Sequence, residues 1–147
     1  MEELSIVANE AGEPALVKQI EAQTKAADDK AFDAKVAQLR GAIAEAEAKH
    51  GAQSTELTGA LEELADFFKK GGPGKAWDAR PQGIPLLERI ADIAAQMHGP
   101  DSTEFGRAIE KLGDHYEKWA DYEKAVASFR KALAVVERQQ PVDATAL

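Results

Sequence analysis

Apolar residues recur along most of the chain at three- and four-residue spacing, the period of helix faces turned towards a core. Pro14 opens a segment reaching about Ala27, with Leu16, Val17 and Ile20 on one side. Asp28-Asp29 reads as a turn and cap signal. A second segment, Lys30 to Lys49, carries Phe32, Val36, Leu39 and Ile43, and His50-Gly51 ends it. Ser54 or Thr55 caps a third, with Leu57, Leu61, Leu64 and Phe68. Gly71-Gly72-Pro73-Gly74 breaks the chain, and Pro81 and Pro85 flank a fourth start whose face is Leu86, Leu87, Ile90 and Ile93. His98-Gly99-Pro100 closes it, and Asp101 or Ser102 caps a fifth segment with Phe105, Ile109, Leu112 and Tyr116. After a turn near Ala120-Asp121, the last carries Tyr122, Val126, Phe129, Leu133 and Val136, and Pro141 closes it. No stretch alternates apolar and polar residues as a strand does. The pattern therefore predicts an all-α fold of six helices on short connections, neighbours antiparallel. The exception is a longer loop, Gly71 to about Gly83, which holds Trp77.

The chain also resembles itself. His50-Gly51-Ala52-Gln53-Ser54-Thr55-Glu56-Leu57 aligns with His98-Gly99-Pro100-Asp101-Ser102-Thr103-Glu104-Phe105. The match runs on through Ala60-Leu61-Glu62 against Ala108-Ile109-Glu110, Leu64 against Leu112, and Phe68 against Tyr116. A second alignment joins Phe32, Val36-Ala37, Leu39-Arg40 and Ala42-Ile43-Ala44 to Tyr122, Val126-Ala127, Phe129-Arg130 and Ala132-Leu133-Ala134. Periodic self-similarity on this scale marks stacked helix pairs, none of which can bury its apolar face alone.

In its last unit the chain resembles the tetratricopeptide repeat: Ile109, Leu112-Gly113 and Tyr116, then Ala125, Phe129 and Ala132. Asp121-Tyr122-Glu123-Lys124-Ala125 is similar to that family's turn into its second helix. The middle unit reads Leu61, Leu64-Ala65 and Phe68, then Gly83, Leu87 and Ile90, with the Gly/Pro loop inserted between its helices. The His-Gly connection is similar to the longer, kinesin-light-chain type of repeat. The resemblance covers roughly Phe32 to the C-terminus. It implies antiparallel helix pairs stacked as a short right-handed α-solenoid of about three units, residues 14–50, 53–98 and 101–139. Residues 1–13 would form an N-terminal segment, and residues 141–147 resemble the start of a further repeat. The spacing has a physical cause: small residues such as Gly113, Ala125 and Ala132 let two helices approach, and Leu112, Tyr116 and Phe129 fill the space between units.

Composition narrows the function. The chain has 147 residues, no Cys, and 18 Lys plus Arg against 26 Asp plus Glu, a formal net charge of −8. A length of this order suits one domain. Without Cys there is no disulfide framework, thiolate metal site or thiol nucleophile. The negative charge disfavours nucleic acid and anionic membrane as partners. No run approaches a membrane span, and the acidic opening Met1-Glu2-Glu3 is unlike a signal peptide, so a cytoplasmic protein is expected.

Catalytic chemistry finds no foothold. His50 and His98 occupy equivalent positions after helices, where an imidazole can face the last carbonyls. His115 precedes a core aromatic and is expected to face solvent or a groove. No pair of His has ligand spacing, so no metal is expected. Lys70 to Ala76 looks superficially like a phosphate loop but lacks its first Gly, its Ser/Thr and a preceding strand. Trp77 either packs the loop onto the middle unit or stands exposed for a partner. The carboxylates sit at ordinary surface spacings, Glu45 and Lys49 forming a favourable i,i+4 pair. No enzyme and no cofactor are expected.

The resemblance implies that the first helix of each pair lines a concave face. Carried over, it brings Gly59, Glu62, Glu63, Asp66, Lys69 and Lys70 from the middle unit, and Arg107, Glu110, Lys111, Asp114, Glu117 and Lys118 from the last. Each could equally be a solvated helix position. As a groove, the mixed charge suits a polar or charged peptide. Family grooves that clamp peptide backbone or a terminal carboxylate use Asn, and the single Asn here is Asn9. The expected function is a protein-interaction adaptor binding a peptide or protein through Glu62, Asp66, Lys69, Lys70, Arg107, Lys111, Asp114 and Lys118. The alternatives are a homodimer through the uncapped face Val126, Phe129, Leu133 and Val136, a piece of a longer array, and a plain helical bundle or small-ligand regulator.

Overall fold

A computed structural model describes the backbone of residues 2–139 and the side chains of residues 12–139. The described residues hold five long helices and no strand: α1 (Glu2–His50), α2 (Thr55–Lys70), α4 (Gly83–His98), α5 (Thr103–Lys118) and α6 (Tyr122–Gln139). The one-turn helix α3 (Lys75–Asp78) and a 3-10 turn at Arg80–Gln82 fill the connection before α4. The loop expected between Gly71 and Gly83 is thus largely helical. The C-terminal residues 141–147, read as the start of a further repeat, lie outside the described residues.

The largest departure from the sequence reading is at the start. The helix pair expected over residues 14–50 is a single helix, and the turn expected at Asp28-Asp29 does not form. No Gly or Pro occurs between residues 15 and 40. An Asp inside a helix costs only about 0.7 kcal/mol relative to Ala, too little to break a run of Ala, Lys, Gln and Glu. A fold-back would also bring only Leu16, Val17 and Ile20 to a core, and in α1 these three remain exposed. Pro14 lies within the helix and removes one of its hydrogen bonds.

The internal repeat marks a repeated helix junction. After α1 and α4 the chain turns at Gly51 (φ 91°) and Gly99 (φ 99°), a left-handed backbone that suits glycine. Three residues later a serine caps the next helix: Ser54 Oγ accepts from the Leu57 N–H and Ser102 Oγ from the Phe105 N–H, both at 3.1 Å. The α5–α6 turn uses a different stop. Ala120 takes φ 60°, its N–H donates to the Glu117 carbonyl at 3.0 Å, and the Asp121 N–H donates to the Tyr116 carbonyl at 2.8 Å. This is a Schellman closure with alanine where glycine is usual.

The core forms where these helices meet. Leu57, Leu61, Leu64 and Phe68 of α2 are essentially fully buried, between Leu39 and Ile43 of α1 and Leu87, Ile90 and Ile93 of α4. Phe32 stacks on Phe67 with ring centroids 5.4 Å apart, tying α1 to the end of α2. Packing follows chain order, α1 on α2, α2 on α4, α4 on α5 and α5 on α6. The small residues face helix neighbours. A Cβ on Gly113 would lie 2.8 Å from Phe129 Cε1, and one on Gly83 would lie 3.1 Å from the His115 ring and 3.3 Å from the Ala65 carbonyl. Ala125 is buried as well.

Candidate functional site

Two cross-links set the relation of α2 to α5. Lys111 of α5 pairs with Glu62 of α2, and His115 Nε2 lies 3.1 Å from the Ala65 carbonyl of α2. Both contacts advance in the same sense along the two helices, so α2 and α5 run parallel. Towards their N-terminal ends they part, and the C-terminal half of α4 shows between them. The result is a cleft of about 490 Å3. Ile90, Ala94 and Met97 supply its apolar floor, with Thr55, Thr58 and Glu62 on the α2 wall and Glu104, Arg107 and Lys111 on the α5 wall. His98 borders it at the end of α4.

The eight residues expected to line a groove divide between two places. Glu62, Arg107 and Lys111 line the cleft. Glu62 and Lys111 bridge its walls as a half-exposed ion pair, whose net contribution is of order 0–1 kcal/mol. Arg107 stands exposed on the ridge between this cleft and a second groove bounded by α5 and α6. Asp66, Lys69, Lys70, Asp114 and Lys118 belong to the C-terminal halves of α2 and α5, outside the cleft lining. There His115 of α5 reaches the Ala65 carbonyl of α2.

His115 is a correction to the sequence reading, which turned it to solvent or a groove. It is 1% exposed. Nε2 faces the Ala65 carbonyl at 3.1 Å and Nδ1 faces the Lys111 carbonyl at 3.3 Å. Burial depresses its pKa below the ordinary 6.5, while the two carbonyls oppose that shift. The physical reason for its burial is Gly83: with no side chain there, α4 passes close over the imidazole, which fills the α2–α4–α5 junction.

No protein-family model matches the chain, and no curated protein matches it. Among the described residues no three His, Asp or Glu side chains come together as a metal site, and no helix is long and apolar enough to cross a membrane.

Trp77 stacks on a residue of its own loop, not on the middle unit. It remains 58% exposed, yet its ring covers the Arg80 guanidinium, with Cζ 3.0 Å from the ring centroid. The other face of Arg80 lies over Trp119, 3.9 Å from that centroid. The guanidinium is thus held between two indoles, and it joins the connection before α4 to the α5–α6 turn. Sequence reasoning missed this clamp and the cleft floor. The only available signal for the floor was the i, i+4, i+7 spacing of Ile90, Ala94 and Met97, which widens the apolar face of α4.

Proposed function

We propose that this chain is a non-catalytic interaction module of tetratricopeptide type, with helix pairs α2–α4 and α5–α6 stacked as the units of a short α-solenoid. The second half of α1 takes the place of the helix that precedes the first pair. The parallel α2 and α5, with α4 antiparallel between them, support this reading. So do Gly83, Gly113 and Ala125 at the close contacts.

The observation that carries the functional reading is the α2–α4–α5 cleft. Its floor is apolar, its rim holds Glu62, Glu104, Arg107 and Lys111, and it is open along one side. Such a site takes a peptide segment that places one apolar side chain over Ile90 and Met97. Charged neighbours of that side chain would read the rim through charge-assisted hydrogen bonds.

The test is affinity capture with quantitative mass spectrometry, comparing the wild-type chain with Met97→Glu and Arg107→Glu. Lys70→Glu, outside the cleft lining, serves as the comparison. All three positions are exposed, so melting temperatures should stay together. Partners shared by the wild type and Lys70→Glu but lost by both cleft variants are the expected result. Capture unchanged by Met97→Glu refutes the cleft as the binding site.

A further inference from the structure

Among the described residues two apolar surfaces have no partner, and they sit on the two ends of the packing order. On α6, Val126, Leu133 and Val136 are exposed beside a half-buried Phe129. Phe129, Ala132, Leu133 and Val136 floor a groove of about 400 Å3 between α5 and α6. On α1, every residue from Gly12 to Asp28 is exposed. Leu16, Val17 and Ile20 form one face of that arm at i, i+1, i+4 spacing.

We propose that the α5–α6 groove receives the N-terminal arm of α1 from a second copy of this chain. Length fits: at about 1.5 Å rise per residue, residues 12–28 span about 25 Å and the 18-residue α6 about 27 Å. Charge fits as well. In a chain of net charge −8, α6 is the one long helix with a positive balance, Lys124, Arg130, Lys131 and Arg138 against Glu123 and Glu137. Residues 12–28 carry Glu13, Glu21 and Asp28 against Lys18 and Lys25, a negative balance opposite the positive one of α6. An arm of negative balance laid by its apolar face on a helix of positive balance buries both stripes and favours opposite charges along the rim.

The chain's own arm does not serve. In the order α1–α2–α4–α5–α6 the body of the molecule lies between α1 and α6, and α1 is continuous through residue 50. Two copies exchanging arms satisfy both faces at once and close on a two-fold axis as an isologous dimer. This surface is separate from the cleft floor, so the proposal stands or falls without a cleft ligand.

The chain has no Cys, which makes the test clean. Light scattering of the whole chain should give a mass rising with concentration from 15.8 kDa and levelling at twice that value, and a mass that climbs past two chains overturns the closed dimer. Ile20→Glu and Leu133→Glu should each hold the mass at one chain, with helical circular dichroism unchanged because both positions are exposed. Ile20→Cys and Leu133→Cys chains, mixed and oxidised, should join as the mixed disulfide pair. A monomer at every concentration overturns the proposal, whatever else covers α6. Like-with-like cross-links alone, arm to arm or α6 to α6, overturn it too.

Discussion

Replacing His115 tests how the α2–α4–α5 junction is held. The ring is buried, and its Nε2 is 3.1 Å from the Ala65 carbonyl. His115→Leu keeps most of the buried volume and removes that hydrogen bond, a loss of about 1 kcal/mol. His115→Ala also opens a cavity beneath Gly83, and the total should reach about 2–4 kcal/mol. The pH dependence is more discriminating. Only the imidazolium could donate to both the Ala65 and Lys111 carbonyls, yet burial outweighs those bonds and the folded pKa lies below the ordinary 6.5. Lys69 favours the neutral ring and Asp66 the charged one, as smaller influences. The unfolded chain therefore takes up the proton first as pH falls. Stability from the neutral ring is complete above about pH 6.5 and is lost as pH drops through the folded value, at no more than about 1.4 kcal/mol per pH unit. Urea unfolding of wild type and His115→Leu from pH 8 to pH 5 should show the wild-type advantage shrinking in acid. An advantage that grows in acid would mean that the doubly bonded imidazolium prevails over desolvation, and would refute the reasoning.

Two glycines in helices should respond in opposite directions. Gly113→Ala places a Cβ 2.8 Å from the Phe129 ring, and the resulting overpacking of about 1–3 kcal/mol exceeds the helix-propensity gain of about 1 kcal/mol. Gly59→Ala meets no atom within 4 Å and should stabilise by about 0.5–1 kcal/mol; denaturant melts giving both the same sign would contradict the close α5–α6 approach. Arg80→Ala should change tryptophan emission, because the guanidinium leaves both Trp77 and Trp119, and should destabilise by about 1–2 kcal/mol. An unchanged spectrum would mean that the clamp does not persist in solution.

The helical class and most helix limits were legible from the sequence because both signals are local. The apolar spacing of Leu57, Leu61, Leu64 and Phe68 places α2 wherever its partners lie. The paired junctions His50-Gly51 to Ser54 and His98-Gly99 to Ser102 carry their own stop and cap within a few residues. The same local reading misled at Asp28-Asp29. A cap residue begins a helix only when the preceding one has reason to stop, and no core was there to turn the chain back.

What the tertiary structure decided is which side chains meet. Glu62, Arg107 and Lys111 share a cleft while Asp66, Lys69, Lys70, Asp114 and Lys118 do not line it, although all eight follow the same helical spacing. Spacing fixes the direction of a side chain around its own axis; it does not say where a neighbouring helix closes in or parts. That depended on Gly83 letting α4 lie over a buried His115, a contact between residues 32 positions apart in the chain. The exposure of the α1 arm and of Val126, Leu133 and Val136 on α6 was likewise decided by packing among the described residues, since an apolar stripe is written in the sequence but its partner is not.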